Sequence, residues 1–261
     1  MDTAVEIKQV THVYVSKREA KLAIEDLTLT VSPGEFVTLV GPSGCGKTTL
    51  LSIIAGLMKP TIGEVTVYGE AVKGPSAHVG YMLQQDYLFP WRTIMENACI
   101  GLELKGQLNA QSRERVENLL EGMGLGGTGN SFPHQLSGGM RQRVALVRTL
   151  ALEPELLLLD EPFSALDYQT KLQLEDLVVE TLRMREKTAI LVTHDLSEAI
   201  AVSDRVIVLN HNPGSIRRSF RIPDTISSAQ PFYAREQPGF NDLFHEVWKE
   251  LEASDQRRGG D

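Results

Sequence analysis

The segment Gly41-Pro42-Ser43-Gly44-Cys45-Gly46-Lys47-Thr48 has the residue types and spacing to hold a polyanion. Glycines carry no Cβ, so successive backbone N–H groups can converge on one phosphate. The apolar run Phe36-Val37-Thr38-Leu39-Val40 enters the segment as a strand, and Thr48–Gly56 leaves it as a helix. The positive end of that helix then points at the same anion. Lys47 is placed to reach the outer phosphates of a nucleoside triphosphate, the Thr48 hydroxyl to ligate Mg²⁺, and Thr49 to extend the cradle. An ordinary glycine turn is the competing reading, and the strand-before, helix-after context argues against it.

A second candidate is Asp160-Glu161, at the end of the apolar strand Leu156-Leu157-Leu158-Leu159. Ligands of open α/β sheets bind outside the carboxyl ends of the strands. Asp160 is the metal-side candidate and Glu161 the base that would polarise an attacking water. Two solvated acids opening a loop remain the alternative. A third candidate, His194, follows Thr193 at the end of the strand Ala189–Val192. It could bond a γ-phosphate or the lytic water, or serve only the structure. Cys45 sits at a helix start, where thiol pKa values tend to fall. Alkylation that blocks nucleotide binding, with bound nucleotide protecting, is therefore expected there, against the plainer reading of a small loop filler.

These residues require elements to position them. Strands are expected over 5–10, 27–31, 36–40, 65–68 and 79–82, with a turn at Pro33-Gly34. From 94 to 152 the pattern is helical: Val116, Leu119, Leu120 and Met123 make one apolar face, and Met140, Val144, Val147 and Ala151 another. The glycine-rich segment 122–129 separates the two. Strands at 156–159, 189–192 and 205–209 then alternate with helices at 169–186 and 196–202, which implies a parallel, doubly wound sheet carrying a helical insertion. Residues 222–238 read as irregular. Phe240–Leu251 reads as an amphipathic helix with Leu243, Phe244, Val247 and Leu251 on one side, and 254–261 as a frayed end.

Composition narrows the function classes. The chain has 261 residues, 42% of them hydrophobic and 23% charged, which is ordinary globular usage. A formal net charge of −8 weighs against nucleic acid as a partner. Two cysteines outside any CxxC or Cys/His cluster argue against zinc and fit a reducing compartment. The first residues have neither a basic nor an apolar region, so no signal peptide is expected. The apolar runs fall far short of the ~20 residues of a membrane span.

Taken with these motifs, Leu136-Ser137-Gly138-Gly139-Met140-Arg141-Gln142 resembles the signature of ABC transporter ATP-binding subunits, standing before the Asp160-Glu161 strand as in that family. Ser164-Ala165-Leu166-Asp167 resembles the D-loop, His194 the switch histidine and Gln84 the Q-loop glutamine and metal-side ligand, with Gln85 the competing assignment. Tyr14 stands where the family stacks an aromatic on adenine; a strand-core role is the alternative. The resemblance covers roughly residues 5–215. It implies a P-loop NTPase (RecA-like) α/β core with a mostly parallel sheet, N-terminal antiparallel strands and an inserted α-helical subdomain. The expected division is 1–84 with 153–220 for the nucleotide-binding core, 85–152 for the helical subdomain and 221–261 for a tail with a short helix.

The resemblance further implies ATP and Mg²⁺, and two subunits pairing head to tail. Each ATP would lie between one phosphate loop and the partner's Ser137, Gly138 and Gly139, with Lys47, Glu161 and His194 as the catalytic set. The partners implied are a second ATP-binding subunit, transmembrane permease subunits and a solute-binding protein, with the chain peripheral on the cytoplasmic face of the membrane. Asp86–Asn97, with Leu88-Phe89-Pro90-Trp91-Arg92-Thr93, lies where the family receives a helix of the membrane subunit, though its aromatics could instead only pack a joint. Within the family the sequence looks most like nitrate, sulfonate and taurine importers. A soluble ABC ATPase of DNA repair or translation, and an exporter or lipoprotein-release ATPase, are the rival readings.

Overall fold

The computed structural model describes residues 3–16, 19–211 and 213–255. Its first strands are β1 (Val5–Val15) and β2 (Ala20–Val31). They pair antiparallel, and with β4 (Ile62–Val67) and β5 (Glu70–Ala71) give a four-stranded sheet ordered β2-β1-β4-β5. Both β1 and β2 are longer than the apolar stretches predict. Register shifts along β1, with Gln9 at φ 47°, break the period-two alternation that would have revealed the strand.

The second sheet holds β3 (Phe36–Val40), β6 (Val79–Met82), β7 (Leu156–Asp160), β8 (Thr188–Val192), β9 (Arg205–Leu209) and β10 (Ile216–Arg221), in the order β10-β9-β3-β8-β7-β6. All its pairings are parallel except β10 with β9. The doubly wound, mostly parallel sheet with separate N-terminal antiparallel strands is thus present.

Burial on both faces explains the unbroken leucine run of β7. Leu156 and Leu158 face a core shared with Val37, Leu39, the antiparallel sheet and α1 (Lys47–Ile54). Leu157 and Leu159 face the opposite core. That core is filled by α2 (Ile94–Leu104), α3 (Ala110–Gly122), α4 (Gly138–Leu150) and α5 (Tyr168–Met184). All four leucines are fully buried, contributing roughly 2 kcal/mol each.

A third core lies beside β9 and β10, under α6 (Leu196–Val202) and the tail. The tail corrects the sequence reading: residues 222–238 contain two one-turn helices, α7 (Asp224–Ser227) and α8 (Pro231–Ala234). Four residues are too few to show a 3.6-residue period. Helix α9 (Phe240–Asp255) buries Val247 and packs Leu243, Phe244 and Leu251 as expected. It includes Ser254, placed above in the frayed end; residues 256–261 lie outside the described residues.

Candidate functional site

β3 delivers the chain to the glycine-rich loop at the carboxyl edge of the parallel sheet. Gly46 caps α1 with φ 91°, in the left-handed region. A Cβ there would also lie 2.9 Å from Ile24 Cγ1 and 3.0 Å from the Ala23 carbonyl, so glycine is required on both counts. No side chain caps α1, which leaves its first N–H groups to a ligand. The Lys47 ammonium donates to the carbonyl oxygens of Gly41 at 2.7 Å and Pro42 at 3.0 Å, across the mouth of the loop.

Around the loop is an open cavity of about 510 Å³. It is lined by Gly41, Ser43, Gly44, Gly46, Lys47, Thr48 and Thr49 of the loop and α1, with Tyr14, Gln84, Glu161 and His194 across it. These come from five separate stretches of sequence. Gln84, and not Gln85, is the glutamine that reaches the cavity. Tyr14 is 42% exposed, which removes the strand-core alternative. Its hydroxyl lies 3.0 Å from Thr49 Oγ1, fixing the ring at the cavity wall.

On the far wall Glu161 touches both Gln84, expected as the Q-loop glutamine, and His194, which with Glu161 belongs to the expected catalytic set. Gln84 Nε2 donates to Glu161 Oε2 at 3.1 Å. His194 Nδ1 lies 3.4 Å from Glu161 Oε1. Glu161 holds φ 50°, a left-handed backbone that costs a non-glycine residue about 1–3 kcal/mol. Its N–H donates to the Val192 carbonyl at 2.8 Å, and its carbonyl accepts from Ser164 Oγ at 3.0 Å. The turn swings the side chain out of the strand line and into the cavity.

Asp160, one residue back, is 2% exposed and stands behind Thr48. Burial pushes its carboxyl pKa up, the neighbouring Glu161 charge adds to this, and the Thr48 hydroxyl and Lys47 oppose it. Its Oδ2 is buried with no hydrogen-bond partner among the described residues. An orphaned carboxylate oxygen beside a hydroxyl is a donor pair that fits a hard cation. Among the described residues no group of three acidic, His or Cys side chains could cage a metal alone. The Asp160 and Thr48 oxygens fit Mg²⁺, which is usually held by one or two protein oxygens plus substrate phosphates.

Cys45 departs from expectation. It is fully enclosed, and burial raises its thiol pKa although Lys47 opposes the shift. Desolvation outweighs the helix start, opposite in direction to what the helix start alone implies.

Ser137, Gly138, Gly139 and Asp167 do not line the cavity. They form a second place. Ser137 caps α4, accepting from the Met140 N–H at 3.3 Å. Asp167 caps α5, accepting from the Thr170 N–H at 3.0 Å, which holds its carboxyl below the ordinary range. A Cβ on Gly139 would meet Leu166 Cδ2 at 3.1 Å and the Ala165 carbonyl at 3.2 Å. The two segments therefore make one continuous surface.

The loop 86–93 joins this surface to the cavity. Arg141 Nε donates to Asp86 Oδ2 at 3.0 Å, and Arg148 donates to the carbonyls of Asp86 and Tyr87. The buried Asn97 side chain bonds the backbone of Phe89, Arg92 and Thr93. So held, the loop turns its aromatics outward: Trp91 is 72% exposed, with its ring 5.4 Å from that of Phe89. Joint packing alone does not account for them.

Sequence reasoning missed Lys21 and Ala23, which also line the cavity. Lys21 sits opposite Tyr14 in the β1–β2 pair, a placement legible only once the strand register is known. It also missed Asn97 as the organiser of the aromatic loop.

Residues 24–164 match the family model described as ABC transporter. The chain is 49% identical to the uncharacterized ABC transporter ATP-binding protein YtlC of Bacillus subtilis, over 97% of each protein. It is 42% identical to the aliphatic sulfonates import ATP-binding protein SsuB of Bacillus licheniformis, covering 89% of this chain and 88% of the relative. Its fold superposes on the dimeric post-hydrolysis structure of the ATP-binding cassette MJ0796 bound to ADP and Pi, with a TM-score of 0.77 and 33% identity, covering 84% of this chain and 99% of that one.

Proposed function

This chain belongs to the ABC transporter family as an ATP-hydrolysing, ATP-binding subunit, and from that premise we propose that it powers a membrane importer of nitrate, a sulfonate, taurine or a related small solute. The observation that carries the reading is the meeting of Gln84, Glu161 and His194 across one cavity from the glycine-rich loop. The importer assignment is supported by the likeness to SsuB.

In this reading the backbone of 41–46 and Lys47 hold the triphosphate, and Tyr14 stacks on the base. Phosphoryl transfer is governed by positioning and charge neutralisation more than by covalent chemistry. Glu161 orients and polarises the attacking water, with Gln84 and His194 fixing its carboxylate. Thr48, Asp160 and Gln84 are the residues that would hold Mg²⁺, which neutralises charge on the phosphate oxygens when bound.

Two copies pair head to tail, and Ser137, Gly138 and Gly139 of one offer their helix-start N–H groups to the nucleotide of the other. Asp167 arrives with them on the same surface. Residues 85–152 move as a helical subdomain against a core of 1–84 and 153–220, with 221–261 as the tail. Exposed Tyr87, Phe89 and Trp91 receive a permease subunit, and the chain then sits peripherally on the cytoplasmic membrane face. Among the described residues no helix is long and apolar enough to cross a membrane. A solute-binding protein supplies the cargo.

Purification of the tagged chain from gently solubilised membranes tests this. Integral membrane proteins should co-elute, and disabling Glu161 in the cell should abolish solute uptake. Recovery free of membrane partners together with unimpaired uptake would refute the transporter role.

A further inference from the structure

His194 is held by little of its own. Its imidazole is 68% exposed, and among the described residues its ion-pair neighbour is Glu161. Its place must therefore come from the backbone that follows. Asp195 starts α6: its Oδ1 accepts from the Glu198 N–H at 3.1 Å, and its own N–H donates to Thr193 Oγ1 at 3.0 Å. Into this first turn reaches Lys171 of α5. Its ammonium donates to Asp195 Oδ2 at 2.7 Å and pairs with Glu198 Oε2 at 2.5 Å.

Lys171 lies one turn beyond Asp167, and its N–H donates to the Asp167 carbonyl at 2.9 Å. One more turn along α5 is Glu175, fully buried and 3.9 Å from the same ammonium. The tail supplies the next charge. Arg235 Nη2 donates to Glu175 Oε2 at 2.7 Å, its Nε to Ser197 Oγ at 3.2 Å, and its Nη1 to the Pro231 carbonyl at 2.7 Å.

A cluster of this kind is a poor source of stability. Desolvating such charges costs about as much as their pairing returns, and apolar replacements are often neutral or better. Among the described residues, Glu175 Oε1 and Glu198 Oε1 even remain buried without hydrogen-bond partners. What the cluster does fix is direction. It sets the first turn of α6 against the first turn of α5 from two sides.

We propose that Lys171 is a positioning residue for His194, clamping α6 to α5 so that His194 and Asp167 keep one spacing, and that the tail completes the clamp through Arg235. The inference rests on the reading above for the part His194 plays in hydrolysis. The consequence is that whatever presses on Asp167 from a second copy is felt at His194 in the same chain.

The test compares Lys171→Met, Lys171→Arg, His194→Ala and the double variant His194→Ala/Lys171→Met in purified full-length chain. Lys171→Met should lower kcat about tenfold or more while KM and ATP affinity stay within about twofold. Lys171→Arg should restore most of the rate. The double variant should be no slower than His194→Ala, because Lys171 acts through His194. Losses that multiply in the double variant, or a Lys171→Met chain with unchanged kcat, overturn the proposal.

Should Lys171→Met fail to fold, Asp195→Asn keeps the helix cap while removing one charge partner of Lys171, and the same rate and affinity pattern is expected. Imidazole NMR of His194 separates the clamp from the role of His194. The parent should give one sharp signal, and the Lys171 or Asp195 variant a split or exchange-broadened one. An unchanged signal refutes the clamp. If His194→Ala retains full turnover, the catalytic reading of His194 fails, while the NMR result still decides the clamp.

Discussion

The starts of α1 and α4 are two versions of the same device. Each is a glycine-bearing helix N-terminus with N–H groups pointing outward. At α1 the device is surrounded: two lysines, two carboxylates, a glutamine and a histidine stand within one cavity or directly behind it. At α4 it is bare. Its nearest company is the Ala165–Leu166 turn, and none of Ser137, Gly138 or Gly139 reaches the cavity. The difference teaches that a single chain gathers its polar groups around one helix start and leaves the other apart from the cavity. In the function proposed above, the second start serves the nucleotide of a second copy.

Replacing Glu161 strikes hardest at the surrounded region. Glu161→Gln keeps the shape and removes the carboxylate proposed as the base, so phosphate release should fall by about 10²–10⁴-fold. ATP binding should persist, and dimers should accumulate in light scattering with Mg-ATP. Turnover at the parent rate would undo the distinction between the regions.

A paired substitution sharpens it. Tyr14→Ala should weaken nucleotide binding by the isolated chain about tenfold, the scale of a lost base–aromatic stack. Ser137→Ala should leave that affinity alone. It should instead lower turnover and ATP-driven dimerisation, and cost about 1 kcal/mol of stability through the lost cap. Equal effects of both changes on single-chain affinity, read by fluorescent-nucleotide titration, would erase the contrast.

The smallest effect concerns the charge cluster between the regions. Burial pushes the Glu175 carboxyl up to about 7, with Arg235 and Lys171 opposing and Glu198 adding to the shift. The folded chain thus binds a proton there more tightly than the unfolded chain does. Between the ordinary carboxylate range and pH about 7, stability falls as pH rises; above that window the contribution is flat. Glu175→Gln should remove this slope, seen as a Tm difference between pH 5 and pH 8 that shrinks by roughly 2–4 °C relative to the parent.

Much of this was legible along the chain because the signals are local. Gly41–Thr48, Asp160-Glu161, Leu136–Gln142 and the fully apolar strands each occupy one short window. The N-terminal strands were underread because bulges hide their alternation. The one-turn helices of the tail were missed because they are shorter than a helical period. The Cys45 thiol shifts opposite to the expected direction because a neighbouring helix start is visible in sequence, whereas burial against surrounding elements is not.

Sequence alone determined which groups are present: a glycine loop with its lysine, a strand-end acid pair, a glutamine, a histidine and a capped glycine helix start. Each is a matter of residue type and near-neighbour spacing, set by backbone sterics and helix or strand periodicity. Tertiary structure decided which of them meet. It selected Gln84 over its neighbour, brought Tyr14 from the antiparallel sheet to the cavity wall, bent Glu161 through a left-handed turn, and kept Ser137 and Asp167 away. Those choices depend on strand order and register. These are fixed by long-range burial across the sheet, which no local window contains.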